Sequence, residues 1–323
     1  ILLYYIMTKN TIPLVVVSCL RDMPMLALQA HSMHLYYQDW LPEDQRFADI
    51  FIIVNEDTET DQKEWLKQYQ GIVQEWHRCF NIKILYKHEF QASWHSWIPS
   101  NKNPWAVGWE TQQILKFAIA DFIDAPGYLV LDSQNFLVSS WSTDVYLSKD
   151  GRLPYRPAEF NMPISIWKEY CNELNLSVEP NDKTLNICTP IFFNTELVKS
   201  LLHTKSSLYE FAEWFKSASK IKSEFTLYHL WAEKTGGLLK YHYEAPSWGG
   251  YMLRDNPNFE AEFDMFMSKI RHLPRQAWVS INHRAWGDMT DNQYEILKTK
   301  LDSMFMYGGH FDDYRKNYVH IVF

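Results

Sequence analysis

The chain has 323 residues, a formal net charge of −8 at pH 7 and 46% hydrophobic content, enough to bury the core of one large α/β domain or two small ones. The acidic balance leaves no basic surplus to neutralise phosphates, so no nucleic-acid partner is expected. Four widely separated cysteines (Cys19, Cys79, Cys171, Cys188), with no C-x-x-C or H-E-x-x-H pattern, argue against a zinc site or a disulfide framework and fit a reducing, cytoplasmic setting. The apolar segment Ile1–Ile6 is too short for a signal peptide or a membrane span, and no membrane-spanning run appears elsewhere.

In chain order, Ile12–Cys19 reads as a buried strand, followed by the loop Leu20-Arg21-Asp22-Met23 and a helix opened by Pro24 and ending near Tyr37. Asp22 is placed to cap that helix. Ala48–Val54 is a second strand, closing at Asn55-Glu56-Asp57, where Asp57-Thr58 also suits a helix cap. The helix Asp61 to Phe80 turns Trp65, Tyr69, Ile72, Val73 and Trp76 inward, and Asn81–Tyr86 is a third strand. From His88 to Trp109 the chain is aromatic and polar without periodicity, which predicts a loop covering a site. Fourteen tryptophans raise the prospect that some rings offer flat walls to sugar faces, although most must be core.

From Glu110 to Ile123 apolar residues wrap most of a helix, too wide a stripe for a surface helix. The exception is a polar line: Gln112 and Gln113 lie four and three residues before Lys116 and share its face. Ala125-Pro126-Gly127 stops the helix, and Tyr128–Leu131 is the continuous apolar run expected of a central parallel strand. It ends in Asp132-Ser133-Gln134-Asn135, at the carboxyl end where ligands bind in open α/β sheets. Asp132 alone also suits a turn or a helix cap.

Beyond this strand, Asp150-Gly151 marks a turn and Ile164–Leu174 a helix. Asn186–Asn194 reads as a strand bent at Pro190, which favours a sheet edge, with Thr195 capping the next helix. Leu208–Ser217 is helical. Ser223 is a natural N-cap for a further helix closed by Gly236-Gly237, and Glu224 in its first turn suits the helix dipole. Tyr228 shares the face of Glu224. Trp278–Ile281 is a late strand ending at Asn282-His283-Arg284, where a histidine is commonly a hydrogen-bonded rim residue.

Three motifs carry a resemblance: W-x-x-Q-Q-x-L-K from Trp109 to Lys116, L-V-L-D-S-x from Leu129 to Gln134, and S-E-F-x-L-Y from Ser223 to Tyr228. Together they resemble a poorly characterised family of GT-A-fold glycosyltransferase-like proteins, and the apolar strand ending in Asp132 resembles the D-x-D frame of that fold. The resemblance implies an α/β, GT-A-like, mostly parallel mixed sheet flanked by helices. It implies a domain over residues 12–265, with a donor-binding half (12–135) and an acceptor half (136–265), and a C-terminal extension (266–323) packed on it. The implied activity is transfer of a sugar from a nucleotide-sugar to a hydroxyl of a glycan or other acceptor, helped by Mn²⁺ or Mg²⁺.

By the same resemblance, Asp132 holds the metal or the donor ribose and Glu224 acts as the base at the acceptor hydroxyl. Ser18, Arg21 and Asp22 hold the nucleotide and Asp57 the ribose. Trp109, Gln112, Gln113, Lys116, Ser133 and Gln134 line the donor pocket, Lys116 against the diphosphate. Thr189 and Tyr228 contact substrate from the later half. His283 supplies an extra metal ligand and Arg284 meets a phosphate. The related strand usually ends L-D-S-D, and Gln134 stands here in place of the second aspartate. A neutral amide serves a hard cation less well than a carboxylate, so weakened metal dependence is expected. Two alternatives stay open: a non-catalytic nucleotide- or carbohydrate-binding protein on the same fold, and a sugar-phosphate nucleotidyltransferase. The latter ranks lowest, because Ser18–Asp22 has no glycine.

Overall fold

The computed structural model describes residues 12–36, 48–72, 80–90, 104–139, 141, 147–155, 157–158, 171–172, 174, 184–185, 189–217, 223–245, 250–253, 260–261, 264–265, 268, 278–281 and 289–305. Along the first part run β1 (Leu14–Ser18), α1 (Met23–Tyr36), β2 (Ala48–Val54), α2 (Glu59–Gln70), β3 (Phe80–Tyr86), the single turn α3 (Lys87–Phe90), α4 (Pro104–Ala118), β4 (Gly127–Asp132) and β5 (Asn135–Leu137). The strands β6 (Leu153–Tyr155), β7 (Pro157–Ala158), β8 (Thr184–Leu185) and β9 (Ile191–Asn194) follow. Then come α5 (Thr195–Leu202), α6 (Leu208–Ser217), α7 (Glu224–Lys234), α8 (Gly237–Tyr241), β10 (His242–Glu244), β11 (Gly250–Leu253), β12 (Trp278–Ile281) and α9 (Asp291–Phe305).

Among the described residues five strands form the central sheet, in the order β3-β2-β1-β4-β9. The first four are parallel, and β9 is antiparallel to β4 at the edge. Strand alternation divides the core in two. Leu14, Val16, Ile50, Ile52, Leu129 and Leu131 face α1 and α2, together with Trp65 and Trp278. Val15, Val17, Phe51, Ile53, Tyr128 and Val130 face the opposite layer of α4, α5, α6 and α7. Both faces are covered, which is why these strands read as continuous apolar runs.

The order reverses at β1, with β2 on one side and β4 on the other. Val17 pairs with Asp132, so Ser18 and Asp132 leave the sheet side by side at this switch point. That position is the crevice in which open α/β sheets bind ligands.

Several boundaries differ from expectation. Helix α4 opens at Pro104, where proline's missing N–H costs nothing, so the segment expected as loop up to Trp109 is helical from residue 104. Residues 91–103 lie outside the described residues. Helix α2 starts earlier than Asp61, because the Thr58 hydroxyl accepts from the Asp61 N–H at 3.0 Å and caps it, and Phe80 already belongs to β3. Strand β9 begins after Pro190, which has no N–H to offer a ladder. Its edge position follows the sequence reading. Asn194, not Thr195, caps α5, accepting from Leu197 N–H at 3.0 Å, while Thr195 donates to the Ala125 carbonyl. Most of the helix expected at Ile164–Leu174 lies outside the described residues. The late strand β12 pairs antiparallel with β5 and parallel with β11, joining the C-terminal part to the segment just past Asp132. Among the described residues no helix is long and apolar enough to cross a membrane.

Candidate functional site at the β1–β4 switch point

The polar line of α4 meets the end of β4. Lys116 is 3% exposed, and its ammonium lies 2.8 Å from Asp132 Oδ1 and 2.8 Å from Glu224 Oε1. One turn earlier, Gln112 Nε2 reaches Asp132 Oδ1 at 3.5 Å. The second carboxylate oxygen of Asp132 accepts from the Thr189 hydroxyl at 2.7 Å. Gln113 Oε1 accepts the Glu224 N–H at 3.1 Å. Gln113 therefore satisfies one of the free N–H groups at the start of α7, whereas the Ser223 side chain makes no capping bond.

Burial by itself disfavours a charged ammonium, but the Asp132 and Glu224 carboxylates outweigh it and raise the Lys116 pKa. For Glu224 burial is the largest influence and raises its pKa, with Lys116 pulling the other way. The two carboxylates differ in access: the Asp132 side chain is 21% exposed and that of Glu224 only 4%. Asp132 faces the crevice, and Glu224 stands behind Lys116. Glu224, read from the sequence as a base, thus has its Oε1 on an ammonium and almost no surface.

Two residues that sequence reading missed hold Asp132 from below. Asn135 Oδ1 accepts the Asp132 N–H at 2.6 Å, and Asn135 Nδ2 donates to the Thr189 carbonyl at 3.4 Å. Gln29, fully buried in α1, donates from Nε2 to the carbonyls of Asp132 and Asn135 at 2.8 and 2.7 Å. A lone amide in the apolar run M-P-M-L-A-L-Q-A was the available signal. It marks a buried polar group that must find partners.

The other expected site residues divide. Ser18 is buried at the end of β1, where its hydroxyl accepts from Trp65 Nε1 at 3.3 Å. Arg21 and Asp22 form a 3-10 turn after Cys19, and Asp22 Oδ2 accepts the Cys19 N–H at 3.3 Å, a capping role. Asp57 is half exposed and paired with Lys87. Its neighbours act more centrally: Glu56 accepts the Leu20 N–H, and Asn55 bridges Ser18 and Gly108 through its N–H and Nδ2 at 2.8 and 3.0 Å. Trp109 is half-buried on α4, and Ser133 and Gln134 form the turn between β4 and β5. Tyr228 shares α7 with Glu224 but lies in the core. Its hydroxyl accepts the Asn194 N–H at 2.8 Å and sits 2.6 Å from His242 Nε2. His283 and Arg284 lie outside the described residues.

The described residues do not fit a divalent cation. A hard cation needs several oxygen ligands, carboxylates above all. Asp132 already has an ammonium 2.8 Å from Oδ1, and Glu224 shares that cation and has almost no surface. Among the described residues no group of three or more His, Cys, Asp or Glu side chains is arranged to hold a metal ion. The positive charge at this strand end is an ammonium.

The profile of a family of unknown function, DUF6492, matches residues 10–269. No curated protein matches the chain. Among solved structures, the galactosyltransferase LgtC, in complex with donor and acceptor sugar analogues, superposes with a TM-score of 0.50 at 11% identity, over 91% of this chain and 95% of that one. The apo structure of the bifunctional glycosyltransferase WbbM gives a TM-score of 0.50 at 10% identity, over 97% of this chain and 52% of WbbM, so this chain spans about half of that protein. At such identities the likeness shows a shared fold: the mostly parallel mixed sheet of GT-A glycosyltransferases.

Proposed function

We propose that this chain, which belongs to the family of unknown function DUF6492, transfers a sugar from a nucleotide-sugar to a hydroxyl of a glycan or other acceptor. The observation that carries the reading is the partly open Asp132 carboxylate at the β1–β4 switch point, held on one side by Lys116 and on the other by Thr189. A carboxylate fixed at both oxygens is pre-organised to accept hydrogen bonds from ribose or sugar hydroxyls without reorganising. Ser18, Arg21, Asn55 and Glu56 flank the same end of the sheet and would surround the nucleotide. In this reading residues 12–135 hold the donor and 136–265 the acceptor, with 266–323 as an extension. Glu224 acts through Lys116 as a positioning residue, and Asp132 is the carboxylate that meets substrate.

The test is a thermal-shift screen of nucleotide-sugars and nucleoside diphosphates, repeated on Asp132→Asn. A ligand that binds only the native state raises its apparent stability by about 2.7 kcal/mol at a hundred times its Kd. One donor should raise the wild-type melting temperature and have a much smaller effect on the variant. A complete panel without any shift would remove the reading. The pairing of both carboxylates with Lys116 favours a second reading, a donor-binding protein without turnover. Release of free nucleoside diphosphate on addition of acceptor separates the two.

A further inference from the structure

We infer that the crevice takes its donor without a divalent cation, the Lys116 ammonium standing against Asp132, the carboxylate on which such an ion is expected. This rests on the reading of the crevice as a donor site. Mg²⁺ and Mn²⁺ bind best to carboxylate oxygens whose charge no other cation offsets, at about 2.0–2.1 Å for Mg²⁺. Here Asp132 Oδ1 receives Lys116 at 2.8 Å and Gln112 at 3.5 Å, and Oδ2 receives Thr189 at 2.7 Å. A cation on Oδ1 would lie within a few ångströms of an ammonium that has three donors and no acceptor. The arrangement would have to lose Lys116 to admit it.

Lys116 is not easily displaced. It is buried and has Phe225 under its ammonium at 5.0 Å from the ring centroid. The neighbouring position that would supply a second charged oxygen is Gln134, a neutral amide. The ammonium thus offsets part of the carboxylate charge at this strand end, and does so before any ligand arrives. Asp132 then meets the donor through hydrogen bonds to hydroxyls.

The experiment uses the full chain and has two arms. Mn²⁺ alone is titrated with detection of the free ion by electron paramagnetic resonance, for the wild type and Lys116→Met. Uridine and guanosine diphosphates and their sugars are then titrated calorimetrically in EDTA and in Mn²⁺, corrected for metal–nucleotide complexes in solution. The wild type should bind no Mn²⁺ below the millimolar range, and donor affinity should agree within about two-fold in the two buffers. Lys116→Met, with the carboxylates freed, should gain a Mn²⁺ site and a rise in melting temperature on adding Mn²⁺. A wild-type site filled at micromolar Mn²⁺, or a ten-fold or greater gain in donor affinity with Mn²⁺ that Asp132→Asn abolishes, would overturn the inference. A folded Lys116→Met protein with no new Mn²⁺ affinity would overturn the role given to Lys116. The wild-type titration reads metal exclusion whether or not the variant folds. Failure of every nucleotide to bind, with Mn²⁺ still excluded, would count against the donor reading alone.

Discussion

Lys116 and Glu224 stand 108 positions apart in the chain and meet at 2.8 Å in the interior, and the same ammonium reaches Asp132 at 2.8 Å. This joins the helix before the central strand, the end of that strand and the start of α7. Removing the cation leaves two carboxylates facing each other, one of them almost fully buried. Breaking a buried ion pair from one side typically costs about 3–5 kcal/mol, because the remaining charge is stranded. Lys116→Met should therefore lose several kcal/mol in urea unfolding at pH 7. Glu224→Gln should lose less, since Lys116 keeps Asp132 as a partner. Equal losses would mean that the cluster is not shared in this way.

Gly127 opens β4 opposite Asn194 of β9, and a methyl group at this position would lie 2.6 Å from the Phe193 carbonyl oxygen and 2.5 Å from Leu153 Cδ1. Leu153 can turn aside, but the carbonyl belongs to the β4–β9 ladder. Gly127→Ala is expected to cost about 1–3 kcal/mol, the range for overpacked sites. Chemical denaturation measures it. A neutral substitution would show that β9 can shift outward freely.

The Tyr228–His242 contact carries a pH prediction. The Tyr228 hydroxyl accepts the Asn194 N–H, which leaves its own proton free to go to Nε2 of a neutral His242 imidazole 2.6 Å away. Burial first, then the nearby His229, pushes the His242 pKa down from 6.5 to about 3. Between those values the unfolded chain holds a proton on this residue and the folded chain does not. Stability therefore falls as the pH is lowered through the window, by at most about 1.4 kcal/mol per pH unit for the one group. Comparing urea midpoints from pH 7 to pH 4.5 for wild type and His242→Gln isolates it. The variant should show the shallower dependence, and parallel curves would reject the assignment.

How far the sequence revealed this site depends on the spacing of its parts. The shared face of Gln112, Gln113 and Lys116 follows from helical spacing, and Asp132 at a strand's carboxyl end follows from an apolar run with an abrupt polar stop. The two-faced sheet was legible for the same reason. The partners of those residues were not. Thr189 lies 57 positions from Asp132 and Glu224 lies 111 from Gln113. No periodicity links segments that meet only through the crossovers of the sheet. Tyr228, placed with Glu224 by helical spacing, is buried like it, packed against Phe193 and bonded to the Asn194 N–H.

Gln29 was the least legible member, and it carries the last prediction. Its amide nitrogen donates to the carbonyls of Asp132 and Asn135, closing the turn from which the Asp132 side chain projects. Its own carbonyl oxygen Oε1 is buried with no partner among the described residues. Gln29→Leu removes two hydrogen bonds, and each stranded carbonyl costs about 1–3 kcal/mol, but it also removes the unpartnered oxygen. The net loss should be modest, about 2 kcal/mol. Gln29→Glu has nearly the same shape yet places a carboxylate where the two carbonyls expect a donor. It must either bury a repelled charge or take up a proton to restore one bond. Gln29→Glu should therefore be the less stable variant at pH 7 and recover toward Gln29→Leu as the pH falls and the carboxyl is protonated. Urea unfolding of both at pH 7 and pH 5 measures the crossover. If Gln29→Glu matches the wild type at pH 7, the amide does not hold the Asp132 turn.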